Sequence, residues 1–228
     1  MKRFYKQVAV GEDFAVLLDG KPIKTPANAR LALPTSQLAE AVAREWRMQA
    51  ATIDPASMML TKLSNTAIDR AETLRDDMAA ELLGFGRSDL LCYRATAPVD
   101  LLARQEAGWN PLLDWAHHVH GARLKTAQGI TYIQQDQDAV AALERTLRAR
   151  DSWTLTGLQT ATTITGSLVL ALAMAQGRLT PAEAFALSRI DEAYQTEKWG
   201  TDTAAEKRAG LHAAELEMAG KFMELARA

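Results

Sequence analysis

The hydrophobic pattern of the chain changes period at Pro34. Before it, "RFYKQVAV" alternates, with Phe4, Lys6, Val8 and Val10 on one side, and Phe14, Val16 and Leu18 repeat the alternation. Period two is the mark of a half-buried strand. Asp19-Gly20 is a tight-turn signal, so Phe14 to Ile23 reads as a hairpin, and "ARLALP" as a further short strand. After Pro34 the spacing lengthens. Leu38, Val42 and Trp46 fall four apart, with Ala39 and Ala43 beside them, as on one helix face. This switch predicts an α+β protein: a small N-terminal sheet-and-helix domain over 1–60, packed on a larger all-helical domain over 61–228.

From Leu60 onward the signals are helical. "LSNTAIDRAETLRDDMAAELLGFG" carries Ile68, Leu74, Met78 and Leu82, with Gly84 as a stop. "PVDLLARQEAGWNPLLDWAHHVHG" predicts a helical block interrupted from Gly108 to Pro111 and closed by Gly121. "DAVAALERTLRAR" follows. Thr180, Pro181 and Glu183 have the form of a capping box with proline at the first helical position, starting a helix that Gly200 ends. "TAAEKRAGLHAAELEMAGKFMELARA" is the last, amphipathic helix.

Ser152 to Gly177 holds no charged residue. A membrane span needs about 20 apolar residues. Here the strongly apolar part is only Ile164 to Ala175, after a stretch rich in threonine, which predicts a buried core helix behind a short preceding one. The chain is therefore not expected to be an integral membrane protein. Net charge is -2, which argues against nucleic acid, since binding there rests on a basic surface. The single cysteine, Cys92, excludes an internal disulfide. Its apolar flanks predict a buried structural thiol. Met1 leads into polar, alternating sequence rather than a secretory or transit segment, so a bacterial cytoplasm is the expected location.

Catalytic signatures are missing: no glycine-rich phosphate loop, no G-x-S-x-G and no C-x-x-C. His117 and His120 could share a helix face, but zinc needs further ligands that the sequence does not name. The expected catalytic residues, metal and cofactors are none.

"IDEAYQTEKWG", Ile190 to Gly200, concentrates three carboxylates with two aromatics. On one continuous helix, Leu187, Ile190, Ala193 and Tyr194 form an apolar arc that contains Glu197. Phe185, Glu192 and Trp199 cluster on the opposite side. A carboxylate on a packed face must be hydrogen-bonded or have a raised pKa. Arg189 and Lys198 could pair with these acids. Catalysis, structural ion pairing and docking of another protein all remain open on these residues alone.

Seven stretches run through the chain in order: "RFYKQVAV", "LDGKPIKTPANARLALPT", "AVAREWRMQAATIDPASMMLTKLSNTAID", "DLLCYRA", "WNPLLDW", "GSLVLALAMAQG" and "DEAYQTEKWG". Together they resemble the assembly chaperones of F-type ATP synthase that attend the alpha subunit, found in mitochondria and alpha-proteobacteria. Met59 departs from the pattern, which has proline there. The resemblance implies the same two-domain fold and a chaperone rather than an enzyme. It implies that the free alpha subunit is bound and its interface shielded until the beta subunit arrives. It also implies client contacts at an acid near Trp199-Gly200, for which Glu192 and Glu197 are the candidates, with Phe185 and Trp199 beside them, and at Trp46 in "EW". The readings that compete are a small helical hydrolase, using Glu192 or Glu197 with a histidine of "HHVH", and a general peptide-binding module.

Overall fold

Asp19 and Gly20 both take the left-handed conformation, at φ 47° and 78°. Two such residues in succession make the turn that matches the twist of a hairpin. Around it, β1 (Val8–Val10), β2 (Val16–Leu18) and β3 (Lys21–Pro22) form an antiparallel sheet in the order β1-β2-β3. Val8 stands opposite Leu18, and Val10 opposite Val16. The Asp19 carboxylate accepts backbone N–H groups from Lys6 and Gln7, which hold its carboxyl below the usual range. The computed structural model describes residues 1–70 and 74–227.

The expected strand at "ARLALP" does not form. Its backbone meets the hairpin only at isolated bridges, Ala15 with Ala32 and Lys24 with Arg30. Pro26 and Pro34, on either side, cannot donate to a ladder. Asn28, at φ 73°, turns the chain sharply between them. Leu31 and Leu33 are nevertheless buried.

Helix α1 (Ser36–Arg47) starts on Thr35, whose hydroxyl accepts from the Leu38 N–H. Leu38 and Val42 are buried, as their spacing predicts. Helix α2 (Met59–Arg70) has Met58 just before it, which cannot cap. The cap comes instead from α1: the Glu45 carboxylate accepts from the N–H groups of Leu60 and Thr61 at 2.7 and 2.8 Å, and from the Thr61 hydroxyl at 2.6 Å. Tyr5, Leu18, Ile53 and Met58 form a core here, with Trp46 packed against it.

Helix α3 (Arg75–Arg87) passes through Gly84, the expected stop. A 3-10 turn at Leu90–Cys92 leads into β4 (Tyr93–Arg94), then α4 (Val99–His120). Helix α4 is continuous, against the expected interruption at Gly108–Pro111. Pro111 removes one rung of its hydrogen bonding, yet the helix runs on to His120. Strand β5 (Ala127–Gln128) pairs in parallel with β4. Two-residue strands leave no alternation to read, and this pair has no counterpart in the sequence analysis.

After α5 (Gln137–Arg148), the uncharged stretch makes α6 (Ser152–Thr165) and α7 (Leu168–Ala175), divided at Gly166, which has φ 68°. Every residue of α7 is buried. Its N-terminus is held by a buried carboxylate: Asp89 accepts from the Ser167 hydroxyl at 2.7 Å and the Val169 N–H at 3.0 Å. Burial pushes the Asp89 carboxyl up to about 6. Cys92 is buried, as expected, and its thiol is pushed up to about 12 by burial and by Asp89. Among the described residues no helix is long and apolar enough to cross a membrane.

Three helices end the chain: α8 (Pro181–Ser188), α9 (Ile190–Trp199) and α10 (Thr203–Leu225). Two compact units result. One holds Met1–Arg75, Ser152–Gly157 and Met218–Ala228; the other holds Asp76–Asp151 and Leu158–Glu217. The sequence reading divides the chain once, at 60/61. These units are discontinuous, because α6 and α10 each run from one into the other.

Candidate functional site

The capping box at Thr180 forms as predicted, with the Glu183 N–H donating to the Thr180 hydroxyl and the Thr180 N–H donating to Glu183. The helix it starts does not reach Gly200. At Arg189 the backbone takes φ -120° and ψ 24°, which ends α8 and begins α9. A projection at constant angle across this break loses the relation between residues of α8 and residues of α9. Tyr194 is buried as the apolar arc required, but Ala193 is exposed.

Helix α9 lies against α4 in antiparallel register. Trp109 Nε1 donates to the Leu187 carbonyl at 2.8 Å. Gln105 Nε2 donates to Asp191 Oδ1 at 2.6 Å. The Tyr194 hydroxyl shares Asp100, 2.8 Å from each carboxylate oxygen. That bond holds the Asp100 carboxyl below its usual range, while burial and the same carboxylate raise the tyrosine. Gly108 allows the approach. A Cβ there would stand 2.9 Å from Leu187 Cδ2 and 3.0 Å from Ile190 Cδ1.

The predicted site residues divide as follows. Glu197 lies on the side of α9 that meets α4, as Tyr194 does, but at its solvent edge. It is exposed and pairs with Arg104 of α4, with Nη1 at 2.9 Å from Oε1 and 2.8 Å from Oε2. The acid in the part-buried section of that contact is Asp191, to which the sequence reading gave no role. Its signal was the Gln105 partner on a distant helix, which spacing cannot supply. Glu192 is exposed, with Arg189 Nη1 3.8 Å away. The Arg189 guanidinium also stands over the Phe185 ring at 5.6 Å. One cation thus joins Phe185 and Glu192 across the helix break. Trp199 is 79% exposed at the end of α9, where Gly200 at φ 90° stops the helix.

Trp46 lies in the other unit. It is half-buried, with its ring edge-on to Tyr5 at 5.7 Å, and the Tyr5 hydroxyl donates to its carbonyl at 2.7 Å. Its neighbour Glu45, the cap of α2, was missed in the sequence because its partners lie fifteen and sixteen residues on.

No hydrogen bond or ion pair joins Glu192 or Glu197 to a histidine among the described residues. His118 Nδ1 meets the Asp114 carbonyl, and His120 meets Thr146 and Gln176. Among the described residues no group of three or more His, Cys, Asp or Glu could hold a metal ion. Helix α9 thus presents an exposed ring and exposed carboxylates, with the Arg189 guanidinium at its start.

Comparison with known proteins agrees with a chaperone. The profile of the ATP12 chaperone protein family matches residues 2–117, and the chain belongs to that family of ATP synthase assembly chaperones. The mitochondrial protein atp12 of Schizosaccharomyces pombe is 25% identical over 215 residues, covering 88% of this chain and 74% of the relative. The crystal structure of Atp12 from Paracoccus denitrificans superposes with a TM-score of 0.93 at 40% identity, covering 99% of this chain and 98% of that one. A structure from Agrobacterium tumefaciens gives 0.92 at 40% identity, over 98% and 85% of the two chains. The α+β class is that of these structures, and the family is one of chaperones, not enzymes.

Proposed function

We propose that the protein binds the free alpha subunit of F-type ATP synthase and shields its subunit-interface surface until the beta subunit replaces it. Membership of the ATP12 chaperone family is the observation that carries this reading. An unassembled subunit exposes apolar surface that aggregates. A chaperone that covers it must also let go, which favours a partly polar contact over an obligate one. The surface of α9 has that character. Trp199 offers an exposed ring, Glu192 and Glu197 offer carboxylates, and Phe185 is tied to Glu192 through Arg189. Exchange of partners needs no nucleotide hydrolysis. The bacterial cytoplasm, where the alpha subunit is made, is the compartment this role requires.

The test is aggregation of purified alpha subunit, followed by light scattering with and without this protein, alongside co-purification of the pair. Suppression of scattering, reversed when beta subunit is added, is the expected result. If alpha neither co-purifies nor changes its aggregation, the reading fails. An unrelated unfolded chain serves as control, because equal protection of both would make the protein a general peptide binder.

A further inference from the structure

We propose that the N-terminal unit carries a second binding site, a pocket between α1 and α2 that seats an extended segment of a partner polypeptide, with an apolar side chain inside and a carboxylate at the rim. It goes beyond the α9 surface, and rests on the reading that this protein holds another polypeptide.

The pocket has a volume of about 710 Å³, within the range of roughly 300–1,000 Å³ usual for ligand sites. Its apolar lining includes Trp46, Ile53 and Met58. Two buried polar atoms on its lining residues have no hydrogen-bond partner among the described residues: Trp46 Nε1, a donor, and Asn65 Oδ1, an acceptor. Buried polar groups are nearly always paired, so two orphans on the residues of one pocket call for a ligand. One donor and one acceptor are the complement of a peptide group, whose carbonyl takes the indole N–H and whose N–H meets the asparagine oxygen. A helical segment has already used its amides, whereas an extended one offers them free.

The rim decides the charge of the occupant. Lys24 and Lys62 are exposed, line the pocket and have no ion pair among the described residues. Among the described residues the acid of the lining is Asp69, already engaged by the Thr25 hydroxyl and the Ala27 N–H. In a chain of net charge -2 this cationic rim stands apart, and it fits an acidic residue next to the apolar one.

The experiment pans a random linear peptide library on the full-length protein. Enriched peptides should share an apolar residue next to Asp or Glu. Trp46→Phe keeps an aromatic ring, smaller than the indole, and loses the N–H; Asn65→Leu keeps the size and loses the oxygen. Each should weaken the enriched peptides by roughly threefold to tenfold, the worth of one hydrogen bond. Methylating the peptide nitrogen at the apolar residue should do the same. Asn65→Leu breaks no hydrogen bond of the free protein at Oδ1, so its melting temperature should hold or rise; Trp46→Phe gives up packing against Tyr5 and is assayed well below its own melting temperature. The proposal is overturned if no sequence is enriched, if binding ignores both variants, or if Asn65→Leu melts markedly lower, which would mean the asparagine serves the fold. Wild-type protein is assayed in parallel for retention of alpha subunit. Retention without peptide dependence removes the pocket alone, and loss of retention removes the proposed function alone.

Discussion

Arg104 on α4 holds Glu197 on α9 through a single nitrogen, 2.8 and 2.9 Å from the two carboxylate oxygens. Glu192, on the same helix, has its own cation in Arg189 at 3.8 Å. Both acids are exposed, so both pairs belong to the class worth about 0–1 kcal/mol. Glu192→Lys and Glu197→Lys should each destabilise the fold by less than about 1 kcal/mol. Urea denaturation measures this, and a loss of several kcal/mol in either variant would place that acid in the core. Alpha-subunit affinity should fall in Glu192→Lys, where a second cation would stand beside Arg189. Unchanged affinity would remove Glu192 from the docking surface.

The backbone at Gly157 has no room for a methyl group. A Cβ there would stand 2.2 Å from Met223 Cγ and 2.7 Å from its sulfur. Gly157→Ala should cost about 1–3 kcal/mol through overpacking. At Gly210, inside α10, nothing lies within 4 Å of such a Cβ. Gly210→Ala should stabilise by about 0.5–1 kcal/mol, the helix preference of alanine over glycine. Thermal melts of the pair should shift in opposite directions; two shifts of one sign would refute the packing at α6 and α10.

The buried Asp89 carboxyl, raised to about 6 in the fold, gives a pH signature. A raised carboxyl contributes stability that is complete below its unfolded value near 4 and lost as pH rises to about 6. The contribution is on the order of 2–3 kcal/mol, at about 1.4 kcal/mol per unit. Asp100, Glu40 and Glu183 are shifted the other way, so the total curve mixes signs. The clean measurement is the difference between wild type and Asp89→Asn, by denaturation from pH 4 to 7. The gap between them should narrow as pH rises through this window. A gap independent of pH would mean that Asp89 has the same pKa folded and unfolded.

Cys92 should resist thiol reagents at pH 8 while the protein is folded, because its thiol is buried and pushed up to about 12. One thiol per chain should become reactive in denaturant. Fast labelling of native protein would contradict the burial.

The hairpin, α1, the capping box at Thr180 and the buried α7 were legible because each rests on local chemistry: a turn dipeptide, a cap, a run of apolar residues. The faces of the last helices were not. Helical projection assumes an unbroken axis, and Arg189 breaks it between Phe185 and Glu192. Within α9 the projection puts Glu197 on the α4 side with Tyr194, but it gives neither the exposure of Glu197 nor the bond from Gln105 to Asp191. The cap of α2 by Glu45 and the α4 bond to Asp191 are contacts between distant parts of the chain, which periodicity does not encode. At Gly84 and Pro111 the helix signals pointed to breaks, and tertiary packing carried the helices through.

The discontinuous first unit bears on how the protein is made. Its hairpin and α1 leave the ribosome first, yet its packing includes Ser152–Gly157 and the segment from Met218 onward. The part of the chain synthesised earliest is thus completed last. Until then the faces that Phe222 and Met223 will cover stay open, and the nascent chaperone is itself, for the length of one translation, an unassembled client.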